Sequence, residues 1–166
     1  MSTETEYIIA KPNAFDASAI HSLITHYAQS SQELLPRSTD HILEHLRDFW
    51  VAYSLPKQQA DSKGEVIGCA SLYIWADYLS EIKSLAVHPD WQGKGIGKKL
   101  ILNCLNDARE IGQSEVFALT FRPEFFFKLG FQLTDRAKLP HKVWNECIHC
   151  PKLLTCGEIA VSCKLD

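Results

Sequence analysis

The sequence of 166 residues contains no apolar run near the length of about 20 residues that a membrane-spanning helix requires. Its N-terminus, MSTETEYIIAKP, lacks both the basic stretch and the apolar core of a secretory signal peptide. A basic balance is also missing, because the net charge is only −3, whereas nucleic-acid-binding domains are normally basic. We therefore expect a cytoplasmic protein with no membrane partner and no nucleic-acid partner.

Internal repeats, low-complexity tracts and linkers are absent as well. Hydrophobic residues make up 46% of the chain and charged residues 22%, which is the balance of an ordinary globular protein. A chain of this length can bury roughly two-thirds of the surface that it exposes when unfolded. We therefore expect a single α/β domain over residues 1–166.

The spacing of apolar residues predicts both helices and strands. Helices are predicted at 14–29, 38–49, 96–111 and 123–129, and strands at 6–12, 49–55, 65–75, 81–87, 115–121 and 157–165. Ser38 or Thr39 suits the N-cap of the second helix, and Gly112 and Gly130 are placed to end the last two. The polar stretch 56–64 reads as the mobile tip of a hairpin.

Three glycines stand together in QGKGIG, residues 92–97, between a predicted strand and a predicted helix. Glycine adopts backbone angles that other residues resist, and helix N-termini present unpaired N–H groups and partial positive charge. The loop is thus suited to cradling a phosphate. It has no G-K-[ST] ending and differs in spacing from G-x-G-x-x-G, which weakens the two common nucleotide-binding interpretations. A glycine-rich turn without a ligand is the alternative.

The strand EIKSLAV at 81–87 begins with two charged residues. The two-residue period of a strand separates a face with both charges from a face with none: Glu81, Lys83, Leu85 and Val87 against Ile82, Ser84 and Ala86. Charges in an otherwise apolar strand are costly unless they are used or paired. Glu81 and Lys83 are therefore either functional or a surface ion pair.

These motifs resemble those of the GNAT acetyltransferase superfamily. Gln92-x-x-Gly95-x-Gly97 after LAVHPDW resembles the Q/R-x-x-G-x-G/A loop that binds the pyrophosphate of acetyl-CoA in that superfamily. FFFKLGF at 125–131 resembles its later motif, in which a helix leads through Gly-Phe into a strand. The order and spacing of the motifs agree over residues 6–135.

A more specific resemblance covers nearly the whole chain. LLPRS at 34–38, EIKSLAV, FALTF at 117–121 and LPHKVWNECIHCPKLLTCGEIAV at 139–161 are similar to the acetyltransferase domain of bacterial N-acetylglutamate synthases. The resemblance implies an α/β (α+β) GNAT fold with a mixed, mostly antiparallel central sheet flanked by helices. It also implies transfer of the acetyl group of acetyl-CoA to the α-amine of L-glutamate, the first step of arginine biosynthesis.

The resemblance further implies roles for individual residues. Glu81 falls where many GNAT enzymes carry the general base, which takes the ammonium proton through water. Acetyl-CoA is expected to bind the strand end and the loop through Leu85, Ala86, Val87, Gln92, Gly93, Lys94, Gly95, Ile96, Gly97 and Lys98.

Glutamate carries two carboxylates, so a selective site should contain at least two cations. The candidates stand in or beside the motifs: Arg37, Lys83, Arg122 and Lys142. The alternative is that each of them is a solvated surface cation, as most Arg and Lys residues are.

One position departs from the superfamily pattern. Many GNAT enzymes have a tyrosine four residues before the glycine of the Gly-Phe pair, and that position is Phe126 here. Phenylalanine cannot protonate a leaving thiolate. Water, another group such as Tyr73 or Tyr78, or no acid at all must then serve this step.

Cysteines cluster near the C-terminus. Cys147-x-x-Cys150 with Cys156 has partial zinc-site spacing, for which His141 or Cys163 could complete a set of four ligands. Small buried thiols are common, and the absence of a secretion signal argues for reduced cysteines. We favour a packing or redox-sensitive role and expect no metal, with Cys147, Cys150 and Cys156 as the candidates should one bind.

Two other functions fit the same sequence. The protein could acetylate another small amine or a protein N-terminus, or it could be a non-catalytic regulator that binds acetyl-CoA. Phe126 favours the regulator, while Glu81 and its neighbouring cations oppose it. We expect L-glutamate as the small-molecule partner, and the sequence leaves the oligomeric state open, a homodimer included.

Overall fold

The computed structural model describes residues 6–55, 64–139, 147 and 157–166. The strands and helices follow in the order β1 Tyr7–Ala10, α1 Ala17–Ser30, α2 Thr39–Glu44, β2 Phe49–Ser54, β3 Val66–Ile74, β4 Leu79–Val87, α3 Ile96–Glu110, β5 Glu115–Thr120, α4 Pro123–Phe127, β6 Gln132–Leu133 and β7 Ile159–Lys164. Most of the predicted hairpin tip lies outside the described residues. No helix in the described part of the chain is long and apolar enough to cross a bilayer.

The strands form one seven-stranded sheet in the order β1-β2-β3-β4-β5-β7-β6. Strand β1 pairs with β2, β2 with β3, and β7 with both β5 and β6, all antiparallel. Strand β4 pairs with β5 in parallel, which sets Glu81 opposite Phe117. This mixed, mostly antiparallel sheet with flanking helices confirms the predicted fold class.

Local signals fix several element ends as predicted. The Ser38 hydroxyl accepts a hydrogen bond from the backbone N–H of His41 and caps α2. Gly112 and Gly130 follow α3 and α4 with φ of +83° and +93°, a region that favours glycine. Helix α2 is shorter than predicted, because a 3-10 turn at Leu46–Asp48 replaces its second half. Strand β4 begins two residues before its predicted start, because Leu79 and Ser80 pair with β5.

The chain divides into two compact units, the first made of Met1–Leu72 and Ser84–Asn106 and the second of Tyr73–Lys83 and Asp107–Asp166. In the first unit, α1 buries Ile20 and Ile24 in a cluster that includes Val51 of β2. Each such side chain contributes about 1.5–3 kcal/mol by leaving water. In the second unit, Leu79 and Phe117 pack with Leu139 and Ala160.

Candidate functional site

The glycine loop, residues 88–98, leads from the end of β4 through a turn into the first residues of α3 in the first unit. Gly93 and Gly95 have φ of +76° and +81°. A Cβ atom added at Gly93 would have no heavy atom within 4 Å, and one added at Gly95 would meet only the Tyr7 hydroxyl at 3.9 Å. Backbone conformation, and not a lack of space, is therefore what requires glycine at both positions.

The loop presents backbone donors to solvent. Gln92, Gly93, Lys94 and Gly95 are exposed, while Ile96 at the start of α3 is buried. In the described part of the chain, no protein acceptor receives the backbone N–H groups of residues 93–98, and the N–H of Lys99 is the first to enter the helix pattern, donating to the carbonyl of Gly95. Unpaired N–H groups at the N-terminus of a 15-residue helix suit an anion such as pyrophosphate.

Two tyrosines that sequence reasoning missed contact the loop. The Tyr27 hydroxyl of α1 donates to the carbonyl of Val87 and accepts from Nε2 of Gln92, with 2.7 Å between the two atoms. The Tyr7 hydroxyl of β1 donates to the carbonyl of Lys94 at 3.1 Å. The sequence offered one general signal, since tyrosines on core-facing helices and strands normally need a hydroxyl partner.

The second unit holds a group of four side chains, Tyr73, Trp75, Glu81 and Lys83, called the Glu81 cluster below. Glu81 is only 3% exposed, and the indole Nε1 of Trp75 donates to its Oε2 at 2.9 Å. The Lys83 ammonium lies 3.8 Å from the same oxygen. It also lies over the Tyr73 ring at 4.0 Å from the centroid and over the Trp75 ring at 4.7 Å.

The surface-pair interpretation of Glu81 and Lys83 is wrong about the surface. The two charges do pair, but the Lys83 side chain is 11% exposed and the Glu81 side chain 3%. Aromatic faces attract the ammonium, and an indole N–H and the ammonium both stabilise the ionised carboxylate. The cluster thus holds an acid and a base together in a largely desolvated place.

The two-face division of β4 fails beyond Lys83. Ser84 has φ of +55°, so the chain leaves the extended conformation there, as at a β-bulge. The Cys69 thiol donates to the Ser84 carbonyl at 3.3 Å, and burial raises the pKa of that thiol to about 12. Beyond Ser84, Leu85 and Val87 are half-buried and Ala86 is buried.

The remaining candidate cations fall in different places. Arg37 is half-buried in the first unit, and its carbonyl lies 2.7 Å from Nδ1 of His21. Arg122 is exposed at the N-cap of α4 in the second unit. Lys142 lies outside the described residues. The structure places Lys83 beside Glu81, and the substrate-binding role of all four cations stays a prediction.

Phe126 is a packing residue. It is 5% exposed and meets Phe125 and Phe131 edge to face, with ring centroids at 5.5 Å and 5.1 Å. Of the two tyrosines considered as proton donors, Tyr73 belongs to the Glu81 cluster. Tyr78 is 45% exposed in the turn before β4.

The predicted cysteine cluster is described only at Cys147, which is buried. Cys150 and Cys156 lie outside the described residues. Among the described residues, no group of three His, Cys, Asp or Glu side chains could hold a metal ion.

Comparison with known proteins gives a family match over most of the chain. The family model of the GNAT acetyltransferases matches residues 18–131. An uncharacterized N-acetyltransferase of Chlorobaculum tepidum is 40% identical over 88% of this chain and 88% of its own length. An amino-acid acetyltransferase of Mycobacterium tuberculosis is 33% identical over 84% of this chain and 76% of its own length.

Solved structures with a similar fold match nearly the whole chain. A Mycobacterium tuberculosis protein in complex with CoA superposes with a TM-score of 0.78 at 26% identity, over 96% of this chain and 99% of the other. An N-acetylglutamate synthase of Neisseria gonorrhoeae, complexed with coenzyme A and N-acetyl-glutamate, gives a TM-score of 0.80 at 25% identity. That match covers 99% of this chain but only 36% of the synthase.

Proposed function

Because the chain belongs to the GNAT acetyltransferase family and is an acetyl-CoA-dependent N-acetyltransferase, we propose that its acceptor is the α-amine of L-glutamate. The products are N-acetylglutamate and CoA, and the reaction is the first step of arginine biosynthesis. Support comes from the similarity to an amino-acid acetyltransferase and to an N-acetylglutamate synthase.

The observation that carries the proposal is the Glu81 cluster. An amino-acid acceptor arrives as an ammonium ion and must lose a proton before it can attack the thioester. Glu81 is the buried carboxylate for that proton, which it takes through water. Lys83, beside it and 11% exposed, is the cation for a carboxylate of the acceptor. Arg37, Arg122 and Lys142 are the proposed partners of the remaining negative charge.

Acetyl-CoA supplies the thioester carbonyl that the amine attacks. Residues 93–98 of the glycine loop offer N–H groups to its pyrophosphate, and the backbone of Leu85, Ala86 and Val87 lies at the end of the strand that leads into the loop. Phe126 has no proton to give to the thiolate. Its protonation therefore falls to water or to another group such as Tyr73 or Tyr78.

The test is a panel of acceptors. An acceptor without a side-chain carboxylate cannot pair with the cations proposed to bind that group, and the loss of such a pairing typically costs on the order of 2–5 kcal/mol. Glutamate should therefore exceed alanine and a simple monoamine by at least about tenfold in kcat/KM, measured as thiol release from acetyl-CoA. Glutamine should be rejected less sharply than alanine, because its amide oxygen still accepts a hydrogen bond.

Two variants test whether Lys83 produces the preference for glutamate over alanine. Lys83→Met should reduce the preference for glutamate over alanine, whereas Lys128→Met, at an exposed lysine after α4, should leave it unchanged. Equal use of glutamate, alanine and a monoamine by the unaltered protein would contradict the glutamate assignment. The protein would then be an acetyltransferase for other amines.

A further inference from the structure

The hydroxyl of Tyr27 joins three parts of the first unit. Tyr27 lies in the last turn of α1, Val87 is the last residue of β4, and Gln92 opens the glycine turn before α3. The hydroxyl donates to the Val87 carbonyl and accepts from Gln92 Nε2, while Nε2 also lies 3.5 Å from the Val87 carbonyl oxygen. One side chain from a separate helix therefore ties the end of the strand to the start of the loop.

Tyr7 makes a similar contact two residues further on. Its hydroxyl donates to the carbonyl of Lys94 at 3.1 Å, and the ammonium of Lys94 pairs with Glu6 at 2.9 Å. Gln92 and Lys94 are the two neighbours of Gly93. Tyrosine hydroxyls thus hold the chain on both sides of Gly93, where an added Cβ atom would have no heavy atom within 4 Å.

Such restraint matters because glycine has the largest backbone freedom of any residue. A loop that samples many conformations loses that freedom when an anion binds its N–H groups, and this loss weakens binding. A loop that is already held in the binding conformation avoids most of this loss of conformational entropy. The hydroxyl of Tyr27 acts at the point where the loop departs from the strand.

We propose that Tyr27 is a positioning residue for acetyl-CoA, which fixes Gln92 and thereby holds the glycine loop ready for the pyrophosphate. Tyr27 acts through Gln92 and Val87 and not on the reacting atoms. The inference rests on acetyl-CoA binding at the glycine loop, and it is independent of which amine accepts the acetyl group.

This role predicts a specific kinetic signature. The pyrophosphate is remote from the thioester, so the loop binds it equally in the ground state and in the transition state. Loss of such uniform binding raises KM and leaves kcat unchanged. Tyr27→Phe should therefore raise the Kd for CoA and the KM for acetyl-CoA roughly tenfold, the effect expected when a hydrogen bond and its ordering are lost. At saturating acetyl-CoA, kcat and the KM for the acceptor should change by less than about twofold.

The experiment measures the Kd for CoA by titration calorimetry without acceptor, followed by steady-state kinetics. Tyr53→Phe is the matched control. It also removes a tyrosine hydroxyl bond in the first unit, the one to the Asp16 carboxylate, but it leaves the loop untouched. It should lower the stability without changing the Kd for CoA. An equal rise in Kd for Tyr53→Phe would overturn the proposal, as would an unchanged Kd in folded Tyr27→Phe.

Gln92→Met supplies a second test at an exposed side chain, where folding is not at risk. It removes the other partner of the same hydrogen bond. The double variant should then raise the Kd for CoA about as much as Tyr27→Phe alone, because both changes break one link. Effects that multiply fully in the double variant would show that Tyr27 does not act through Gln92, and the proposal would fail.

Discussion

Glu81 is a carboxylate in a place where carboxylates are costly. Removing a charge from water costs several kcal/mol unless partners compensate for the lost hydration. Here the indole N–H of Trp75 and the ammonium of Lys83 both contact Oε2. The aromatic rings over Lys83 support its ammonium in turn. Each of the two charges in the Glu81 cluster therefore depends on the other, and a change in one will alter both the chemistry and the stability.

Replacement of Glu81 by glutamine tests the base directly. Glu81→Gln keeps the shape but removes the basic oxygen, so kcat should fall by a factor on the order of 10² to 10⁴. The loss should shrink at high pH, where free amine becomes abundant. Turnover is measured as thiol release against pH, in protein shown to be folded by circular dichroism, because the change also leaves Lys83 without its carboxylate.

Glu110→Gln at the exposed end of α3 is the control and should leave turnover unchanged. Near-normal turnover of Glu81→Gln at neutral pH would leave Glu81 as a pairing residue only.

Glu81 and Lys83 stand out in the sequence because two charges interrupt an apolar strand pattern. Trp75 reaches Glu81 across the turn between β3 and β4, and Tyr27 is 60 positions from Val87, so neither stands out in the same way. Those contacts depend on how elements pack, and a period of 2.0 or 3.6 residues carries no information about them.

The conformation of the glycine loop depends on the strand before it and the helix after it. Strand β4 ends at Val87, the turn passes through two left-handed glycines, and α3 begins at Ile96, whose side chain is 1% exposed. The buried face of α3 anchors the helix, and the exposed turn before it carries the donors. The proposed binding of the acetyl-CoA pyrophosphate uses the backbone of this turn, so its side chains matter through the conformation that they impose or permit.

Gly95 and Gly112 have the same backbone conformation, so substitutions at the two positions distinguish the effect of backbone strain from an effect on acetyl-CoA binding. Gly95 and Gly112 have φ of +81° and +83°, and both lie before or after the same helix. Alanine at either position should cost about 1–2 kcal/mol of stability, because a Cβ atom is disfavoured in left-handed backbone. Only Gly95→Ala should also raise the KM for acetyl-CoA, roughly tenfold if returning the shifted loop to its binding conformation costs about 1.4 kcal/mol.

Urea unfolding gives the stability of both variants, and steady-state kinetics gives KM. An unchanged KM in Gly95→Ala, or the same increase in Gly112→Ala, would count against the loop as the anion site.

For the whole molecule, titration of buried groups makes stability depend on pH. Burial raises the pKa of the Cys69 thiol from an ordinary 9.0 to about 12. Between those values the unfolded chain has released a proton that the folded chain retains, so the free energy of unfolding falls as pH rises. The contribution of Cys69 is fully present below pH 9 and is lost by the time the folded thiol ionises.

The Cys69→Ala variant separates the contribution of this thiol from the rest of the pH dependence of stability. Its stability should be lower by a constant offset below pH 9, because a buried sulfur has been removed. Above pH 9 its stability should fall less steeply than that of the unaltered protein, by up to about 1.4 kcal/mol per pH unit. Urea unfolding from pH 8 to pH 10.5 gives both curves. Parallel curves throughout the range would contradict a thiol whose pKa is raised by burial.

The fold as a whole was more predictable than its site. Regular periods, caps and glycines locate most helices and strands to within a few residues, as Ser38 and Gly112 illustrate. The sheet order is a different matter, because β7 at the C-terminus enters between β5 and β6. Nothing local in its six residues specifies two partners, and the resemblance to a family implied only a mixed, mostly antiparallel sheet without a strand order.

The position of Trp75 makes its fluorescence a reporter of the Glu81 cluster. An excited indole has a large dipole, and its emission wavelength responds to charges within a few ångströms. The ring of Trp75 is in contact with the Lys83 ammonium, and its N–H is bonded to Glu81. Arrival of an acceptor, or exchange of a proton at this pair, will therefore change an intrinsic fluorescence signal. Trp75 is an intrinsic fluorophore at the place where we expect the reaction. Stopped-flow measurement of its emission can therefore follow acceptor binding without an added label.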